Sequence, residues 1–208
     1  MTPTTIPAGT RPVTTAAAHS RTRRLLTVGT PMALAALLLL HPMDPYSVGP
    51  WHPWYLVHYG ALILTPLLCA AAYQMLDGLQ SRPSQVARWA LFPFMVFYPA
   101  WEALAGVGTG RLVELTNVMP VTQDIGRGLV LDWFDWAGTH WLALAGMAAW
   151  LAFAVGGAVA HHRAGSDRVV VVGLAGSALY PILHAGIPGA IPLLLMALAA
   201  WGMTSGRA

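Results

Sequence analysis

Long apolar runs separated by short, charge-bearing loops dominate the sequence, and few folds other than repeated crossings of a lipid bilayer accept that pattern. A crossing helix needs about 20 apolar residues, because the hydrocarbon core is roughly 30 Å thick and each residue rises about 1.5 Å. Runs of this kind read as spans over Leu25–Leu40, Trp54–Leu76, Trp89–Gly110, Thr139–Ala160, Val169–Ala185 and Ile187–Met203. The predicted fold is all-α, a polytopic membrane helical bundle of about six transmembrane helices, with residues 25–203 forming a single membrane domain. The last two spans are short and meet at the turn Gly186–Gly189, so they also fit one broken segment. Composition agrees: of 208 residues 56% are hydrophobic and only 9% charged, too apolar for a soluble domain of this size.

The loops set the orientation. All eleven basic residues are arginines, and nine of them (11, 21, 23, 24, 82, 88, 163, 168 and 207) fall on one side of this span pattern. Only Arg111 and Arg127 fall on the other, which predicts that both termini are cytoplasmic. The Thr-, Ala- and Pro-rich residues 1–24 read as a disordered cytoplasmic tail and residues 204–208 as a cytoplasmic C-terminus. The opposite side carries Asp44, Glu114, Asp124, Asp132 and Asp135, with an aromatic belt of Tyr46, Trp51, Trp54, Trp133 and Trp136. His41-Pro42-Met43-Asp44-Pro45 follows the first run where a signal peptide would show a small-residue cleavage site, so that run reads as a retained span. Because the arginines are scattered over short loops, no nucleic-acid partner is expected. The single cysteine, Cys69, excludes an internal disulfide, a CxxC redox pair or a thiolate zinc site.

The chain aligns on itself at an offset of 82 residues. Trp51, Trp54, His58 and Tyr59 fall on Trp133, Trp136, His140 and Trp141; Tyr98-Pro99 and Glu102 fall on Tyr180-Pro181 and His184. The predicted unit is a two-helix hairpin, repeat A over 51–110 and repeat B over 133–192, arranged as parallel repeats about an axis along the membrane normal.

The offset selects four ionisable residues, His58, His140, Glu102 and His184, all in the extracytoplasmic half of the bilayer. Ionisable groups at that depth are costly and by default mark function, and Glu102 is the sharpest case as the one carboxylate well inside a span. Three imidazoles and a carboxylate suit a divalent metal, which makes His58, His140, His184 and Glu102 candidate ligands; haem between His58 and His140 is the less favoured cofactor. Glu102 is also the candidate catalytic acid or base, with Tyr98 and Tyr180, one turn before Glu102 and His184, as candidate catalytic or supporting groups beside it. Each histidine taken singly also fits a purely structural hydrogen bond between helices. The outer loop 111–138 reads as a lid.

Across Phe97-Tyr98-Pro99-Ala100-Trp101-Glu102-Ala103-Leu104-Ala105-Gly106-Val107-Gly108-Thr109-Gly110 the chain resembles small multi-pass membrane proteins of actinobacteria that carry no assigned activity. The resemblance implies a bacterial plasma-membrane setting and no catalytic roles. Three functions remain open: an intramembrane enzyme, metal-assisted or acid/base, on a lipophilic substrate; a module that binds or transports a small molecule, haem or ion; and an accessory protein with a structural polar core.

Overall fold

The computed structural model describes residues 20–42, 53–118 and 123–205. The tail over 1–19, Asp44, Tyr46, Trp51 and His52 lie outside the described residues. All regular structure among the described residues is helical. Helix α1 covers residues 20–38, with a π-helical stretch at Leu25–Gly29. It is followed by α2 (Pro53–Met75) and by α3, which starts at Arg82, passes through a π-helical segment at Glu102–Gly108 and ends at Val118. The remaining helices are α4 (Gln123–Asp135), α5 (Ala137–Arg163), α6 (Arg168–Ser177) and α7 (Gly186–Ser205).

Four helical stretches are long and apolar enough to cross a membrane: Pro53–Met75, Arg82–Val118, His140–Arg163 and Gly186–Ser205. Their outward faces carry Leu56, Ile63, Trp89, Phe92 and Leu198, as lipid contact requires. Helix α3 packs along α5, α6 along α7, and α1 fills the groove between α2 and α7. Small residues permit these approaches. A methyl group at Gly146 of α5 would come within 3.1–3.2 Å of the Tyr98 backbone and Cβ, so the two helix axes touch almost directly there.

Three expected boundaries move. Helix α3 does not stop at Gly110 but runs on to Val118, where an exposed Arg111–Glu114 pair (2.8 Å) lies along its surface. The expected outer lid is accordingly not a loop: it consists of the end of α3 and the amphipathic α4. The fifth span is helical for only ten residues, roughly 15 Å, before giving way at Ala178 to turns that last until Gly186. Pro181 causes that break, since it lacks an amide donor and disfavours helical geometry at Tyr180; Gly186 (φ 60°) then reverses the chain into α7. The loose backbone is tolerated because protein surrounds it: the Trp150 indole donates to the terminal carbonyl of Ser177 (2.7 Å). Pro99 at the aligned position of α3 has a milder effect. The helix continues but shifts to π geometry three residues later.

An aromatic core closes the bundle centre. Phe94 meets Trp150 (ring centroids 4.6 Å apart) and stacks on Tyr98 (5.0 Å), while Tyr180 contacts both Tyr98 (5.7 Å) and Trp150 (5.6 Å). The candidate site sits immediately beside this plug, one turn beyond Tyr98, on the side towards the His41 end of the bundle.

Candidate functional site

At its centre His58 of α2 meets Glu102 of α3, with Nδ1 2.6 Å from Oε2. The two residues are 3% and 2% exposed, so the contact is closed to solvent. His58 shares a buried helix face with Trp54, Ala61 and Thr65, at spacings of four, three and seven residues. Glu102 opens the π segment, whose altered ladder frees carbonyl groups. Two indoles take them: Trp54 Nε1 donates to Gly106 O (2.7 Å) and Trp133 Nε1 to Leu104 O (3.0 Å). Gly106, one turn beyond Glu102, leaves room for the imidazole; any Cβ there would overlap the His58 ring.

One proton lies between Nδ1 and Oε2, whichever atom holds it more closely. The other ring nitrogen, His58 Nε2, is a buried atom without a hydrogen-bond partner among the described residues.

His41, in the segment just beyond α1, forms the outer wall. Its Nδ1 lies 2.7 Å from Pro42 O, and since a carbonyl only accepts, Nδ1 carries the proton and Nε2 presents a lone pair. That Nε2 is also buried and unpartnered among the described residues. Desolvation, reinforced by the neighbouring His58 and His184 imidazoles, pushes His41 down to about 4, which keeps it neutral. Its ring centroid is 5.1 Å from that of His58 and 5.6 Å from that of His184. His184 enters from the turn segment after α6 and packs edge-on against Trp101 (5.0 Å).

Inward of the pair, Tyr98, Tyr180 and Thr65 are completely buried. The Tyr98 hydroxyl is within electrostatic reach of Glu102 and Tyr180, and the Tyr180 hydroxyl of Thr65. Among the described residues none of the three closes a hydrogen bond of regular geometry. A file of polar groups thus runs from His41 through His58–Glu102 to Thr65, which lies about 10 Å deeper along α2 than His58.

Of the four ionisable residues singled out from the sequence, the structure brings together His58, Glu102 and His184 and leaves His140 out. His140 is exposed near the start of α5. The α5 face that packs on the bundle contains Gly146 and Trp150, and at about 100° per residue His140 points roughly a third of a turn away from it. Among the described residues no three of His, Cys, Asp or Glu are disposed to hold a metal ion. His41 takes the third imidazole position, and its adjacency to the end of a span was the available signal. Thr65 was signalled only by its spacing of seven from His58. Asp132 and Asp135 are exposed, away from the buried pair. No known protein family, curated protein or solved structure matches the chain.

Proposed function

We propose that this is a multi-pass protein of a bacterial plasma membrane, with both termini cytoplasmic, whose extracytoplasmic half carries an acid–base site for the polar group of a lipophilic substrate. The observation that carries this reading is the buried His58–Glu102 contact, with His58 Nε2 unpartnered among the described residues. A carboxylate that fixes one imidazole nitrogen orients the other for proton exchange, which is the geometry general acid–base catalysis needs. His58 Nε2 is then the proton-exchanging atom and Glu102 its positioning partner. Tyr98 and Tyr180 supply hydroxyl donors for a substrate oxygen, and His41 passes protons to the outer surface. The contact between Tyr98 and Tyr180 supports a pseudo-two-fold arrangement of repeats A and B, with the two tyrosines near its axis.

Incubating purified protein with bacterial lipid extract and following products by mass spectrometry tests the proposal. Products formed by the wild type should disappear with Glu102→Gln and with His58→Asn. Undiminished products in either variant would remove the acid–base role. A second reading, a small-molecule binding or transport module, draws on the continuation of the polar file through Tyr98, Tyr180 and Thr65 beyond the pair. It predicts a bound molecule that co-purifies unchanged.

A further inference from the structure

We propose a second site at the opposite, arginine-rich end of the bundle: a pocket for the phosphate-bearing headgroup of an anionic lipid. A cavity of about 620 Å³ opens there between the start of α1 and the ends of α2 and α7. Its rim carries Arg21, Arg23 and Arg24, and its wall is mixed, with Met75, Ala200 and Met203 forming an apolar side beside Thr27 and Thr204.

The three guanidinium groups are differently placed. Arg23 is anchored, donating to Gln74 O (2.9 Å) and pairing with the exposed Asp77 (3.4 Å), which holds it at the rim. Arg24 stacks on Trp201 of α7, its Cζ 3.8 Å from the ring centroid. Stacking engages the face of the guanidinium and leaves its N–H edge free for an oxyanion. Among the described residues neither Arg21 nor Arg24 forms an ion pair with a carboxylate. Positive charge is thus in excess at the rim, in side chains whose planar forks match phosphate oxygens.

The apolar side of the wall selects the source of that phosphate. Free inorganic phosphate would engage the rim alone, whereas a phospholipid places its headgroup among the arginines and its glycerol and upper acyl carbons against the methionines. This site shares no residue with the His58–Glu102 centre, so either can fail without the other.

Native mass spectrometry of the detergent-solubilised protein, with phosphatidylglycerol, phosphatidylcholine or inorganic phosphate added in turn, tests the assignment. Phosphatidylglycerol should be retained in preference to phosphatidylcholine, inorganic phosphate should leave no comparable adduct, and Arg21→Gln/Arg24→Gln should lower phosphatidylglycerol retention roughly tenfold or more. Arg111→Gln, at the other end of the bundle, should leave retention unchanged. Equal retention of the two lipids, a phosphate adduct as strong as the lipid's, or undiminished retention in the double variant would overturn the proposal. Should the double variant lose its monodisperse size-exclusion profile, the single Arg21→Gln decides, because that side chain is exposed and its loss must still weaken phosphatidylglycerol retention severalfold.

Discussion

Gly106 lacks a side chain at the point where the His58 imidazole crosses α3, and a methyl group there would occupy the space of the ring itself. The contact between His58 and Glu102 therefore depends on a glycine one turn beyond the acid. Gly106→Ala should push the imidazole off Glu102 and destabilise the protein by about 1–3 kcal/mol, the usual range for overpacking a buried contact. Gly108→Ala is the matched control. Its new methyl would meet Trp133 at an ordinary 3.4 Å, so replacing a helical glycine there should be neutral or add up to about 1 kcal/mol. Denaturant titration in detergent, followed by circular dichroism, measures both; equal losses at the two positions would show that His58 does not require the gap.

The helical, bilayer-crossing character of the chain was legible in its sequence because apolar length is a one-dimensional property. Pro53–Met75 and Gly186–Ser205 lie within a few residues of the runs that anticipated them. The break after Ser177 was only half legible. Pro181 was visible, but whether a proline bends a helix, as Pro99 does, or ends it, as Pro181 does, depends on what surrounds the freed backbone, and Trp150 is 27 residues away from Ser177 in sequence. The site shows the same division. His58, Glu102 and His184 come together from three elements, whereas His140 was selected by alignment with His58 alone, and its rotational phase on α5 depends on packing by Gly146 and Trp150. His41 has no counterpart at the 82-residue offset, so an argument from repetition passes over it.

Buried hydroxyls without regular partners are costly to maintain, and Thr65 and Tyr180 both belong to this class. Thr65→Val preserves shape while removing the polar atom, and should leave stability unchanged or raise it by about 1 kcal/mol. Tyr180→Phe should behave likewise. If the proposed acid–base or binding role holds, both should also lower turnover or ligand retention. A Thr65→Val protein that is clearly less stable and equally active would instead make the hydroxyl a structural element.

His41 ties stability to pH. Burial holds its pKa at about 4 in the folded protein against an ordinary 6.5, so between these values the unfolded chain binds more protons than the folded one. Stability from this residue is fully present above pH 6.5, declines as the pH falls from 6.5 towards 4, and is gone below that. Melting curves collected across this window should show the decline, and His41→Gln should flatten it. A variant with the same slope as the wild type would assign the dependence to other groups.

Orientation decides which leaflet supplies the His58 site, and it rests on the distribution of arginines along the sequence: nine of the eleven fall on one side of the predicted span pattern, and Arg111 and Arg127 on the other. The chain is convenient for mapping, since its one cysteine, Cys69, is buried in α2 and Cys69→Ala gives a background free of thiols. On that background, Asp124→Cys in α4 and Gln80→Cys between α2 and α3 place single exposed thiols at the two ends of the bundle. A membrane-impermeant maleimide should label the first in intact cells and the second only after permeabilisation. The reverse pattern would turn the bundle over, so that the His41 mouth faced the cytoplasm and the substrate had to come from the inner leaflet.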